Sequence, residues 1–144
     1  RFEYRLMTPG ADSGVSVRVK TDGGWPGHDG IEINLADELN FGELNGRPPH
    51  DHERNGTIVG MARPNDTTPK APLGEWQAVR ILVEGKKVTV EMNGKTVSQV
   101  VNLDHHKDHH WAPGAKRTKG AIAFQTRVGR VEFRNVFVKD LGGK

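Results

Sequence analysis

The chain has 144 residues, with 18 glycines, 8 prolines, no cysteine and a formal net charge of +3. That length fits one domain with its own core, and the absence of cysteine excludes disulfides and thiolate chemistry. Basic residues are interspersed with acids rather than gathered with aromatics into a stripe, which argues against a nucleic-acid partner, and no apolar run is long enough to span a membrane as a helix.

Arg1-Phe2-Glu3-Tyr4-Arg5-Leu6-Met7 alternates from its first residue and predicts a strand over Phe2–Met7. A chain that opens inside a strand, without an initiator Met or a leader, reads as processed or as cut from a longer protein. Thr8–Gly14 is a loop of turn formers. Val15, Val17 and Val19 then alternate with Ser16, Arg18 and Lys20, and Thr21–Asp29 is a Gly/Trp/Pro/His loop. In the next strand Ile31, Ile33 and Leu35 face the core, so the pleat turns Glu32 and Asn34 to the opposite face.

Residues 36–73 are the least regular. Phe41–Leu44 and Thr57–Met61 read as short strands or turns, and Arg63–Leu73, rich in proline, as an exposed loop. The clearest signal follows in residues 74–101. Val79, Ile81 and Val83, then Val88, Val90 and Met92, alternate on both sides of Glu84-Gly85-Lys86-Lys87, and Asn93-Gly94 closes a second hairpin. Asn-Gly suits a type I′ turn because both residues accept positive φ. The segment is therefore a three-stranded antiparallel meander. Asn102–Lys119 is a loop, and strands at Gly120–Thr126 and Val131–Lys139 end the chain. In them Ile122 and Phe124 oppose Ala123 and Gln125, and Val131 and Phe133 oppose Glu132 and Arg134. Roughly eight to ten short strands without helices predict an all-β antiparallel sandwich in preference to a barrel.

The ordered set Asp12-Ser13-Gly14, Gly30-Ile31-Glu32-Ile33-Asn34, Asn55-Gly56-Thr57-Ile58-Val59-Gly60, Gly74-Glu75-Trp76, Asn93-Gly94, Gly120-Ala121-Ile122-Ala123-Phe124-Gln125 and Val131-Glu132-Phe133-Arg134-Asn135-Val136 resembles the 3-keto-disaccharide hydrolase domain family. The resemblance spans nearly the whole chain. It implies a single jelly-roll β-sandwich of concanavalin A-like lectin/glucanase type over residues 1–144, lacking the family's first strands. It also implies a bacterial, extracytoplasmic (periplasmic or secreted) protein that cleaves 3-keto-glycosides. The chain departs from the family at Ile31, Asn34 and Gln77, and Thr126-Arg127-Val128-Gly129 stands where an Asp-His-Gly turn is usual.

In such a fold saccharides bind the polar side of the concave sheet. The pleat assigns Arg18, Glu32, Asn34, Gln125 and Arg134 to polar strand faces, and these groups can pair with sugar hydroxyls. Glu32 is the candidate general base. The ketone of a 3-keto-glycoside acidifies the C2 proton, so one base and one ketone-polarising group suffice for elimination; Arg18, a loop His or a metal is the candidate to polarise the ketone, and Arg18 and Gln125 are the candidates to orient the sugar. Direct glycosidic displacement needs two carboxylates instead, and Asp37 or Glu38 offers the second. All seven histidines (His28, His50, His52, His105, His106, His109 and His110) lie in loops beside Asp51, Asp104 and Asp108. This is the donor set of a divalent metal site at His109 and His110, although the spacing matches no closed-site pattern and favours a solvated His-rich loop that binds metal only adventitiously. The sequence requires no cofactor. Trp25 and Trp111, in loops, suit stacking against a sugar ring, and Trp76 suits the core. P-loop, dinucleotide and Gly-x-Ser-x-Gly signatures are absent. The reading from another class is a non-catalytic carbohydrate-binding or assembly domain of a larger extracellular protein, pairing through its edge strands. A second acid or a metal beside Glu32 favours the enzyme; an exposed aromatic row without one favours the binding module.

Overall fold

A computed structural model describes residues 1–22 and 29–142. The strands are β1 (Phe2–Leu6), β2 (Asp12–Val19), β3 (Ile31–Ala36), β4 (Gln77–Glu84), β5 (Lys87–Met92), β6 (Lys95–Val100), β7 (Ala121–Val128) and β8 (Val131–Arg134). They form an antiparallel β-sandwich: one sheet runs β6-β5-β4-β1-β8 and the other β3-β2-β7. The meander forms as its pattern dictates, with Val83 opposite Val88 and Met92 opposite Lys95. Asn93 and Gly94 both take positive φ, 49° and 80°, as a primed turn requires.

Alternate residues of both sheets meet in one core. Phe2, Tyr4 and Leu6 of β1 pack with Val15, Ile31, Ile33 and Leu35 of the smaller sheet and Val79, Val88 and Val90 of the meander. One polar knot crosses this core. The fully buried Tyr4 hydroxyl donates to Asn55 Oδ1 at 2.9 Å, and the same oxygen accepts from the Ala36 amide at 3.3 Å. Asn55 thereby ties β1 of the large sheet to the end of β3. Asn55→Ala orphans two buried donors, so a loss of about 2–4 kcal/mol is expected from urea unfolding, with Tyr4→Phe costing about 1 kcal/mol.

Two local expectations need correction. Phe41–Leu44 is helical: α1 (Phe41–Asn45) buries Phe41 and ends at Gly46, whose φ of 69° is the left-handed stop that glycine favours. Thr57–Met61 is the turn of the two readings given for it, a tight reversal in which Ile58 bridges both Ile33 and Ala62. The last strand stops at Arg134 because Asn135 turns to φ 51°, although Arg1 and Phe137 still exchange backbone hydrogen bonds beyond it.

Trp76 is also not in the core. It lies half-buried on the outer face of the large sheet, with the Arg5 and Arg134 guanidinium groups 4.6 and 3.9 Å from its ring centre. Outward-pointing residues of β1 and β8 capture it by cation–π stacking. No helix among the described residues is long and apolar enough to cross a membrane.

Candidate functional site

The polar face of the β3-β2-β7 sheet is built in rows. Asn34, Gly14 and Gln125 lie directly across from one another, and Glu32, Ser16 and Ala123 form the next row. Small residues on β2 keep the centre of this face low. Gly14 is the critical one, because a Cβ there would sit 2.7 Å from Glu32 Oε1. The Glu32 carboxylate therefore leans over a position that only glycine leaves open.

Each end of the β2–β7 ladder is shifted by a bulge. At one end Ser13 faces Thr126 while Asp12 faces Val128, so Arg127 is the extra residue. A bulge re-aims its side chain, and Arg127 forms an ion pair with Asp12 and reaches Glu53 Oε1 at 3.4 Å through the same nitrogen, Nη1. Glu53 is held in turn by Arg47 through two bonds of 2.7 and 2.8 Å and by the His50 amide at 2.9 Å. The Glu53 carbonyl accepts from Asn34 Nδ2 at 2.7 Å, which docks residues 51–53 onto the polar face. At the other end Ser16 faces Ala123 while Val19 faces Ala121, so one extra residue stands in β2 beside Arg18.

The three acids of this cluster are tuned apart. Glu32 is only 9% exposed. Burial first, and the neighbouring Asp12 charge second, push its carboxyl up to about 7, against the opposing pull of Arg127 and the Gln125 amide. Asp12 is fully buried; its carboxyl is raised by that burial although Arg127 opposes the shift, and its Oδ1 has no hydrogen-bond partner. Glu53 goes the other way, down to about 2, chiefly because the Arg47 fork holds it ionised. Two crowded carboxyls beside one fixed anion are what acid–base work uses. Asp12→Asn removes the like charge that helps to raise Glu32. The Glu32 carboxyl should then titrate closer to the ordinary carboxylate range, read by carbon-13 NMR of labelled glutamate.

The structure brings Glu32, Asn34 and Gln125 together and separates the other candidates from them. Arg18 leaves the face: at φ 55° beside its bulge it sends Nη2 to the Gly85 carbonyl, 2.6 Å away in the β4–β5 turn of the other sheet. The pleat extrapolation failed there because one inserted residue reverses the alternation. Arg134 lies on the outer face of the large sheet, 2.5 Å from Glu3 Oε2 and stacked on Trp76, far from the polar face of the small one. Asp37 accepts from the Gly10 amide and Asn40, and Glu38 from the Asn55 amide and Lys70, so neither is the second acid beside Glu32. Trp25 lies outside the described residues.

Trp111 sits at the flank of the site. Its ring is 4.8 Å from that of His52 and 5.0 Å from that of His110, and His50 stacks on His52 in turn. His109 packs against Gly60, next to Val59, whose amide bonds the Glu32 carbonyl at 2.9 Å. His109 and His110 are stacked on each other, 5.1 Å apart and nearly parallel, and His109 Nδ1 accepts from the Trp111 amide. No group of three or more His, Asp or Glu side chains among the described residues converges as a metal cage. The described residues thus do not form a closed divalent site.

Three members of the cluster, Asp12, Glu53 and Arg127, are not marked by the sequence pattern. Asp12 stands among turn formers in the sequence, yet running the Val17, Val15 alternation backward puts Ser16, Gly14 and Asp12 on one face. Arg127 owes its place to a bulge, which periodicity does not reveal.

The model of the 3-keto-alpha-glucoside-1,2-lyase-like domain matches residues 1–139. Among solved structures, two proteins of Parabacteroides distasonis ATCC 8503, both provisionally named glycosyl hydrolases, are similar to the chain. One is 22% identical with a TM-score of 0.76 and is aligned over 93% of this chain and 67% of its own. The other is 26% identical with a TM-score of 0.70, over 93% and 73%. No curated protein matches the chain.

Proposed function

Because the chain belongs to the 3-keto-alpha-glucoside-1,2-lyase-like domain family, we propose that it cleaves the glycosidic bond of 3-keto-glycosides by elimination, with Glu32 as the base. The observation that carries this reading is a buried carboxyl held near 7 beside a second acid, Asp12, on the polar face of the sandwich. The C3 ketone acidifies the proton on C2. Glu32 takes that proton, and the electron pair left behind is delocalised onto the C3 oxygen. Collapse of this enolate forms the C1=C2 double bond and expels the aglycone oxygen, which is reprotonated on leaving. Water then adds at C1 of the enone and completes a net hydrolysis.

A base with a pKa near 7 is matched to this task, since it is stronger than an ordinary carboxylate yet substantially ionised at neutral pH. Gln125 borders the Gly14 opening and offers its amide to sugar hydroxyls, while the buried Asn34 braces the other side through the Glu53 carbonyl. Trp111 supplies an apolar surface at the flank for a sugar ring. A binding module has no use for Glu32 with Asp12 beside it, which ranks the enzyme above that reading.

The test is turnover of a panel of 3-keto-glucosides against the unoxidised parent glucosides, with EDTA-treated and metal-reloaded controls. Cleavage confined to the keto substrates is the expected result. Its kcat/KM should rise with pH through an apparent pKa near 7, the value held by Glu32. Binding of both sugar classes without turnover by folded protein overturns the reading in favour of a carbohydrate-binding module.

A further inference from the structure

We propose that Arg127 binds the C3 carbonyl oxygen of the substrate and holds the charge that develops there; this rests on the elimination reading above. Elimination needs a group that stabilises the enolate oxygen, and Arg18 is committed to the Gly85 carbonyl of the other sheet. Arg127 stands on the Glu32 face instead, delivered by the bulge between Thr126 and Val128.

Its anchoring is one-sided. Both ion pairs, to Asp12 and to Glu53, use Nη1. Nη2 and Nε have no partner among the described residues, and the side chain is 47% exposed although its two acids are 0% and 3% exposed. The guanidinium is thus clamped through one terminal nitrogen, Nη1, and the N–H groups of Nη2 and Nε are left for a ligand. A planar fork fixed by buried carboxylates loses little freedom when it binds an oxyanion. Asp12 and Glu53 also offset part of its charge. They keep it from drawing Glu32 into a permanent ion pair, which would drag the base back toward the ordinary carboxylate range.

The charge bookkeeping supports the same role. When Glu32 takes the C2 proton, one negative charge disappears from the carboxylate and appears on the C3 oxygen. The net charge of the site is unchanged, so a fixed cation stabilises the product of this transfer without solvent reorganisation, provided it lies nearer the new oxyanion than the old one. Glu32 and Arg127 are within electrostatic reach of each other yet make no ion pair, which is the arrangement this asks for.

Kinetics of wild type, Arg127→Ala and Arg127→Lys on a 3-keto-glucoside, with added guanidinium chloride and thermal melting of each, decide the matter. We expect Arg127→Ala to lose about 10²–10³ in kcat with KM altered far less, as removal of one oxyanion donor does. Millimolar guanidinium should restore at least tenfold of it, and the rising limb of the pH profile should move to higher pH because a cation beside Glu32 is gone. Arg127→Lys keeps the ion pair with Asp12 but not the fork. It should melt like wild type and still lose kcat, which decides the question if the alanine variant fails to fold. A folded Lys variant with wild-type kcat overturns the inference, as does an alanine variant whose loss guanidinium does not relieve. Either result leaves the elimination reading intact provided wild type turns over; an inactive wild type overturns both.

Discussion

Glu32→Gln is expected to abolish turnover of 3-keto-glucosides and to stabilise the protein. Glutamine cannot accept the C2 proton, so kcat on 3-keto-glucosides should fall by at least about 10³, the upper range for loss of a general base. The effect on stability has the opposite sign and depends on pH. The folded carboxyl titrates at about 7, above its ordinary 4.5. Between those values the native state keeps a proton that the unfolded chain has released, so stability falls as pH rises through the window. Wild type carries the whole penalty above about pH 7 and none below about pH 4.5. It amounts to about 3 kcal/mol at most for a shift of this size. Glutamine carries no ionisable carboxyl and escapes it. Melting curves of both proteins should therefore converge at pH 4 and separate at pH 8, with the mutant higher. Equal melting temperatures at pH 8 would mean that Glu32 is solvated and unfit for its assigned role.

Gly14→Ala separates activity from folding in a second way. The added methyl comes within 2.7 Å of Glu32 Oε1 and 3.3 Å of its Cγ. The nearest obstacle is the movable end of a side chain rather than backbone, so the sheet can keep its register while the carboxylate is driven aside. The expected cost to stability is about 1–2 kcal/mol, from crowding against the Ile33 carbonyl as well. The cost to catalysis should be larger, about 10²-fold in kcat, because a base displaced by an ångström is misaligned with its proton. Steady-state kinetics beside urea unfolding reads both numbers. A variant that unfolds outright, or one with wild-type kcat, contradicts this account of the opening beside Glu32.

Much of the fold is legible because it is written in local rules. The meander over residues 74–101 needs only period two and two turns, and the alternation Ile31, Ile33, Leu35 turns Glu32 and Asn34 outward without any tertiary knowledge. What could not be read was set by irregularity or by distance. Arg18 and Arg127 exchange their expected importance because each stands at a bulge, and a bulge is a property of a strand pair rather than of a strand. Trp76 resembles a core residue in sequence; its place outside the sheet depends on Arg5 and Arg134, which approach from β1 and β8.

The paired bulges have a consequence for how such a protein can change over time. Between them, Ser13–Ser16 and Ala123–Thr126 keep an uninterrupted register that carries the Asn34–Gly14–Gln125 row. Insertions or deletions in the flanking loops can be absorbed at either irregularity, because that is where the two strands already tolerate a mismatch in count. The central rungs are insulated from their surroundings, as a splice region is from its exons. Loop grafts beyond Arg18 or Arg127 should therefore alter which sugars are accepted while the reacting groups hold their spacing, which makes these two joints the natural seams for recombining this domain with its relatives.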